Sequence, residues 1–396
     1  MNIKVAIFTF NTEAQIFCCS CDKKEECGST RKILSFMSSN CILSDFAGKF
    51  VEYIQSKNNN KLPDTFIISL QESSIKNPKK GFKSDQLIHA FYNCILKYDS
   101  QYSLFKEKME GVGAEGIRGI RIGFIVKKRQ DFEIKFRFLF YNPLFESKIA
   151  ISEGQQFGKG ALMLDTIITN KISGKNETYG LKFINTHLPF LGKKGDQGKS
   201  IRDKTIIETM SYFTNIIKQE NKSITDNIFL MGDLNYRISF NDSIEQNKFI
   251  DLLENSNRGD FGTIKSYLNF DQLRNSIKGN TILMEYKEGI NDEGPSFFPT
   301  CKLVKKCIDG NNIREYQLTK GNTQRIPSWC DRILYTGDNI TCLLYESFDR
   351  GQTCKSDHIP VIGLYEIKFS EQKGGDNYYK KYLKYKQKYF EFRNDT

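Results

Sequence analysis

The 396-residue chain carries 58 Lys and Arg against 47 Asp and Glu, a formal charge of +11, with 39% hydrophobic and 13% aromatic residues. That apolar content can bury a large core, and no stretch approaches the ~18 consecutive apolar residues of a membrane span, which excludes disordered, fibrous and membrane-spanning classes. Residues 1–8 are too short and too mixed for a signal-peptide core, and eleven cysteines, an odd number without dense regular spacing, predict reduced thiols in a cytoplasmic protein.

In chain order the pattern predicts strands over residues 3–10 and 65–70 with a helix over 32–55 between them, then a helix over 85–96. Strands follow over 121–126, 161–169 and 180–185, a helix over 201–218, a strand over 227–231, a helix over 243–253 and a strand over 360–367. The strands are mostly too apolar to be half exposed, and in the helices apolar residues return every three or four positions. Strands with helices between them imply a layered α/β or α+β domain. No Pro/Gly/Ser linker divides the first ~370 residues, so one domain is expected over 1–370. Cys18, Cys19, Cys21 and Cys27 lack the paired spacing of a zinc site and read as a polar insertion loop.

The final segment, 371–396, differs. Tyr378, Tyr382, Tyr385 and Tyr389 recur at helical spacing beside Lys380, Lys381, Lys384 and Lys388, a basic amphipathic helix. It either packs on the domain or contacts an anionic membrane peripherally. The chain ends Arg393-Asn394-Asp395-Thr396, without a prenylation signal, and no appended adaptor domain is expected. The overall positive charge suits an acidic partner: nucleic acid, an anionic membrane or a phosphorylated small molecule.

Three phosphate chemistries fail at the sequence level. No cysteine has an arginine six positions on, as a cysteine phosphatase requires. Gly195 to Ser200 imitates the end of a P-loop, but Lys193 stands where the earlier glycine is needed, so the stretch reads as a polar loop. With only His89, His187 and His358, no His-Glu-x-x-His helix exists. His89 falls on a helix face and reads as structural. His187, after one apolar strand, and His358, before another, fall where loops gather.

Other strand ends carry matching polar groups: Asn11, Gln71-Glu72, Gly232-Asp233-Leu234-Asn235, and Asp331 beside the only tryptophan, Trp329. Each alone serves as a turn former or cap. Together they make an oxygen-ligand site for a hard cation with proton-transfer groups nearby.

These segments resemble inositol polyphosphate 5-phosphatases, within the endonuclease/exonuclease/phosphatase superfamily. The resemblance runs through Asn11, Leu70-Gln71-Glu72, Gly158-Lys159-Gly160, Asn185 to Leu188, Gly232 to Ile238, Phe298 to Lys302, Pro327 to Leu334 and Ser356 to Val361. It implies a deoxyribonuclease-I-like fold, a four-layer sandwich of two mixed β-sheets flanked by helices. The implied activity is magnesium-dependent hydrolysis of the 5-phosphate from an inositol polyphosphate or phosphoinositide, with no nucleic-acid partner. Two alternatives are a magnesium-dependent nuclease on the same fold, which the +11 charge would suit, and a non-catalytic inositide-binding module. The resemblance leaves soluble and lipid substrates both open.

By resemblance, Glu72 and Asn11 hold Mg2+ with Asp357 close by, Asp233 orients and deprotonates the water, and Asn235 holds the nucleophile or a phosphate oxygen. His358 donates to the phosphate, Asp331 orients its ring, and His187 supplies a second donor. Lys159, Lys302, Arg325 and Arg332 are the implied substrate-binding cations, Lys302 and Arg325 for the 4-phosphate. Two positions depart from the family: Cys301 replaces a tyrosine and Thr323 a lysine. Residues 303–322 read as a longer loop than usual, whose Lys305, Lys306, Arg314 and Lys320 could restore the lost charge. Cys330 has no implied nucleophilic role.

Overall fold

A computed structural model describes residues 2–12, 31–74, 85–110, 118–141, 159–171, 178–190, 195–219, 227–255, 261–279, 282–308, 311–316, 326–349 and 356–369. The strands are β1 Asn2–Asn11, β2 Thr65–Ser74, β3 Tyr102–Glu110, β4 Arg118–Lys127, β5 Phe132–Tyr141, β6 Gly160–Asn170 and β7 Thr178–His187. They continue with β8 Ile228–Asp233, β9 Lys287–Glu288, β10 Leu303–Ile308, β11 Asn311–Tyr316, β12 Asp331–Thr336, β13 Ile340–Ser347 and β14 Val361–Lys368. The main helices are α1 Arg31–Lys57, α2 Asp85–Tyr98, α3 Gly195–Gln219 and α4 Ser243–Asn255, followed by the short α5 Phe261–Lys265 and α6 Gln272–Lys278.

Two six-stranded mixed sheets form, one in the order β13-β14-β1-β2-β4-β3 and one in the order β5-β6-β7-β8-β12-β9. The alternation within β1 explains the layering. Val5 and Ile7 point into a core shared with Phe183, Phe229 and Met231 of the opposite sheet, whereas Ala6, Phe8 and Phe10 pack under α1 and α2. Phe8 meets Phe50 and Phe91 with ring centroids 5.4 and 4.9 Å away. On the outer face of the second sheet, Met163, Ile184 and Leu230 pack with Ile206 and Phe213 of α3. Helix, sheet, sheet, helix is the expected four-layer sandwich.

The structure corrects several local readings. Helix α3 begins at Gly195, so the stretch read as a polar loop forms its first turns, with Lys199 paired to Asp203 at 2.9 Å. Residues 303–322 contain an antiparallel hairpin of β10 and β11 where a loop was expected. Strands β3 and β5 escaped the sequence reading because each lies at a sheet edge and interleaves charged with aromatic residues, which blurs the apolar run. The 18–27 cysteine cluster and the 371–396 tail lie outside the described residues.

Candidate active site

Strand register assembles the site. Parallel pairing sets His187 of β7 level with Asp233 of β8, and antiparallel pairing sets Asp331 of β12 level with the same Asp233. One cross-section of the second sheet thus ends in an imidazole and two carboxylates. In the first sheet, Asn11 of β1 pairs with Gln71 of β2, and Glu72 follows. Just before β14, the Ser356 hydroxyl donates to the Asn11 carbonyl at 2.6 Å and accepts from the His358 backbone N–H at 3.1 Å, so the last sheet-one strand is tied to the first.

The backbone is specialised here. Gly232 has φ +133°, and a Cβ on it would lie 1.9 Å from the Thr186 carbonyl oxygen, so only glycine lets β8 approach β7 this closely. Glu72 at φ 48° and Asn235 at φ 53° occupy the left-handed region. For Glu72 that conformation is unfavourable by about 1 kcal/mol or more, and surrounding structure must hold it.

The side chains converge on Asp233. The Asn11 amide donates to its Oδ2 at 2.8 Å, and the Asn235 backbone N–H donates to its Oδ1 at 3.0 Å. His187 Nε2 lies 3.2 Å and His358 Nε2 3.9 Å from Oδ2. On its far side His358 donates Nδ1–H to Asp331 Oδ2 at 2.7 Å, a direction fixed because a carboxylate only accepts. Thr300 donates its hydroxyl to that same Oδ2 at 2.7 Å and accepts from the Asp331 backbone N–H at 3.1 Å. Thr300 was missed as a site residue although it lies within the 298–302 segment. His187 Nε2 faces Glu72 Oε1 at 3.7 Å and contacts the Lys159 ammonium directly.

Electrostatics follow from burial and these contacts. Burial opposes ionisation of Asp233, but His358, then His187 and Lys159, outweigh it and hold the carboxyl well below the usual carboxylate range. Burial likewise opposes charge on His358, and Asp331, with Cys301 and Asp233 adding, drives it well above the ordinary imidazole range. Burial raises the Asp331 carboxyl despite His358. The result is an ionised Asp233 facing a cationic His358.

Of the four implied substrate cations, Lys159 reaches the site through His187, and Lys302 reaches it through an ion pair of 3.2 Å with Asp357. Asp357 Oδ1 in turn lies 3.8 Å from His358 Nε2. Arg325 lies outside the described residues. Arg332 is a correction. Strand alternation turns it to the face opposite Asp331, where it is fully buried between Glu288 and Asp271 and cannot meet a substrate. Arg237, not singled out from the sequence, lies at the site instead. Its Nη2 donates to Asn235 Oδ1 at 2.9 Å, and its guanidinium lies 4.7 Å from the centre of the Phe190 ring. Its signal was its place in the Gly232 to Ile238 segment. His89 is exposed on α2, 3.1 Å from the Lys106 ammonium and apart from this cluster.

The donor set suits a hard cation. Glu72, Asn11, Asp357 and Asp233 contribute oxygens, and the Glu72 and Asp233 carboxylates approach the same imidazole nitrogen, a concentration of like charge that a divalent ion relieves. Asp233, Asp331 and His358 also have potential ligand atoms within 4.8 Å of one another. Because Asp331 already engages Nδ1 of His358, that trio is arranged for proton handling rather than for an ion.

Two mixed sheets face to face, with amides, carboxylates and imidazoles gathered at one end, define the deoxyribonuclease-I-like class. Residues 29–364 match the model of Endonuclease/Exonuclease/phosphatase family 2, and the chain belongs to that family. It is 29% identical over 203 residues to type IV inositol polyphosphate 5-phosphatase 9 of Arabidopsis thaliana, covering 49% of this chain and 42% of that protein. It is 24% identical over 313 residues to polyphosphatidylinositol phosphatase INP53 of Saccharomyces cerevisiae, covering 78% of this chain and 24% of that protein. The chain therefore spans less than half the length of these curated relatives. The crystal structure of the inositol polyphosphate 5-phosphatase domain of SPsynaptojanin, in complex with inositol (1,4)-bisphosphate and calcium, shares the fold. Its TM-score is 0.53 at 19% identity, covering 100% of this chain and 93% of that one.

Proposed function

We propose that this chain hydrolyses the 5-phosphate of inositol polyphosphates or phosphoinositides by direct attack of water, assisted by magnesium. The observation that carries the reading is the ionised Asp233 set between His187 and the Asp331-supported His358. The relatives' names supply the substrate class.

Glu72 and Asn11, with Asp357 beside them, would hold magnesium, which would supply charge neutralisation at the phosphoryl oxygens. Asp233, oriented by Asn11 and the Asn235 backbone, accepts the proton of the attacking water. The Asn235 side chain, fixed by Arg237 and by its bond to the Leu188 carbonyl, lines the nucleophile's approach. His358 as imidazolium donates Nε2–H to the phosphate, and Asp331 preserves its charge and orientation.

His187 Nε2 faces Lys159, which only donates, as well as the acceptors Glu72 and Asp233. A phosphate oxygen entering there accepts from the Lys159 ammonium and from the His187 ring N–H and relieves that competition. Water attacks phosphorus as Asp233 takes its proton, and the bond from phosphorus to the inositol oxygen breaks. That oxygen takes up a proton from solvent as Asp233 returns its own, and free alcohol and inorganic phosphate result with inversion. Cys330 takes no part, since it is buried with its thiol donating to the Tyr236 carbonyl at 3.6 Å. Lys302 and Arg325 receive the 4-phosphate. The protein works in the cytoplasm, where its 371–396 tail contacts anionic membranes.

A phosphate-release panel over soluble inositol phosphates, phosphoinositide vesicles and oligonucleotides, with magnesium or chelator, tests the reading. Magnesium-dependent release from 5-phosphorylated inositides supports it. Strong turnover in excess chelator, or cleavage of oligonucleotides with no inositide hydrolysis, overturns it.

A further inference from the structure

We infer that Gln71 and Asn185 form a bracket across the two sheets that positions Glu72, an inference that rests on the functional reading above. Glu72 sits in an awkward place. The pairing of β2 with β4 slips between Leu70 and Ser73, so Gln71 and Glu72 lie in the irregular stretch, and Glu72 has φ 48°. A bulge of this kind re-aims a side chain, yet it needs something to hold its shape.

Asn185, one turn of the β7 pleat before His187, supplies it from the opposite sheet. It is fully buried, and its Nδ2 donates to the Leu70 carbonyl at 3.1 Å and the Arg121 carbonyl at 2.8 Å, the paired residues at the edge of the slip. Two carbonyl acceptors fix the amide's orientation, leaving Oδ1 as an acceptor. Gln71, also fully buried, donates Nε2 to that Oδ1 at 2.8 Å, with the Ser69 and Thr9 hydroxyls 3.0 and 3.1 Å from the same nitrogen. Thr12, the residue after β1, completes the clamp: its N–H donates to the Gln71 carbonyl at 2.9 Å and its hydroxyl lies 3.1 Å from the Glu72 carbonyl.

The bracket therefore ties the backbone that carries Glu72 to the strand that carries His187. It sets the distance between the two halves of the site. Neither amide touches substrate, so both act as positioning residues.

The test compares wild type with Gln71→Met, Asn185→Leu, their double variant and the milder Gln71→Asn, which withdraws the amide by one methylene. Thermal midpoints are measured in chelator and then during titration with magnesium alone, and turnover is measured separately. Each single variant should need at least ~10-fold more magnesium, both for the same rise in midpoint and for half-maximal turnover. The double variant should be no worse than the poorer single one, because either substitution opens the whole bracket. If the apolar variants do not fold, Gln71→Asn should show the same shift on a smaller scale. A lowered midpoint with an unchanged magnesium requirement overturns the inference, as do additive losses in the double variant. A wild type neither stabilised by magnesium nor active on inositides overturns the functional reading itself and the bracket's role with it.

Discussion

Replacing Arg332 with Met separates two roles that the sequence alone could not. The guanidinium is fully buried; Nη1 donates to both oxygens of Asp271 at 3.0 and 3.1 Å, while Nε and Nη2 engage both oxygens of Glu288. Methionine matches the stem and removes the charge, leaving two buried carboxylates face to face. Removing one partner of a buried pair costs about 3–5 kcal/mol. The upper half of that range applies here, because Glu288 and Asp271 lose their cation together. Asp271 offers partial relief, since burial already raises its carboxyl against the pull of Arg332 and protonation becomes easier. Denaturant unfolding should therefore show a markedly lower midpoint for Arg332→Met. Adding Glu288→Gln should recover about 1–3 kcal/mol by removing one orphaned charge. Under conditions where the variant stays folded, KM for an inositide should stay within about threefold of wild type, as expected when no contact with substrate is lost. An unchanged midpoint with a KM raised tenfold or more would refute this reasoning and return Arg332 to the substrate pocket.

Asp233→Asn and His358→Ala should each lower kcat at least ~100-fold in protein that remains folded, the scale of losing a general base or a charge-stabilising donor; near-normal kcat in folded variants would remove those roles. Gly232→Ala should cost about 1–3 kcal/mol or more by driving a methyl group into the Thr186 carbonyl, with activity falling as β7 and β8 separate; circular dichroism melts and turnover check both. Lys302→Ala should raise KM about 10–100-fold for substrates bearing a 4-phosphate, the value of one charge-assisted contact, and little for those without it. An unchanged ratio of kcat/KM between matched substrates would mean that the pocket is wrongly assigned. Deleting 371–396 should reduce co-sedimentation with anionic vesicles while leaving hydrolysis of a soluble inositol phosphate intact.

The legible parts of the sequence were those where one physical signal dominates. Continuous apolar runs revealed β1, β6, β7 and β14 to within two residues, because buried strands leave little room for polar substitution. Asn11, Glu72, His187, Asp233 and His358 stood out as polar groups at the ends of such runs. What stayed hidden depends on long-range register. Nothing local says that Asp331 lies opposite Asp233, or that Asn185 meets Gln71 across 114 residues of chain. Arg332 shows the converse error: a motif placed it beside Asp331 in the site, whereas strand alternation alone separates neighbours onto opposite faces. Edge strands β3 and β5 were lost because solvent permits charge among their aromatics.

The pairing of β1 with β14 sets a condition on biosynthesis. The Asn11 carbonyl is held by Ser356, 345 residues later in the chain, and β14 zips along β1 from Thr9–Val361 to Asn2–Lys368. During translation β1 must wait with its edge unpaired until nearly the whole sandwich has been made. Closing so distant a contact is slow. A nascent chain stalled before Ser356 holds Asp233, His187 and Glu72 but lacks His358 and the strand that closes on β1, so the site is completed in one late step rather than accumulating with length.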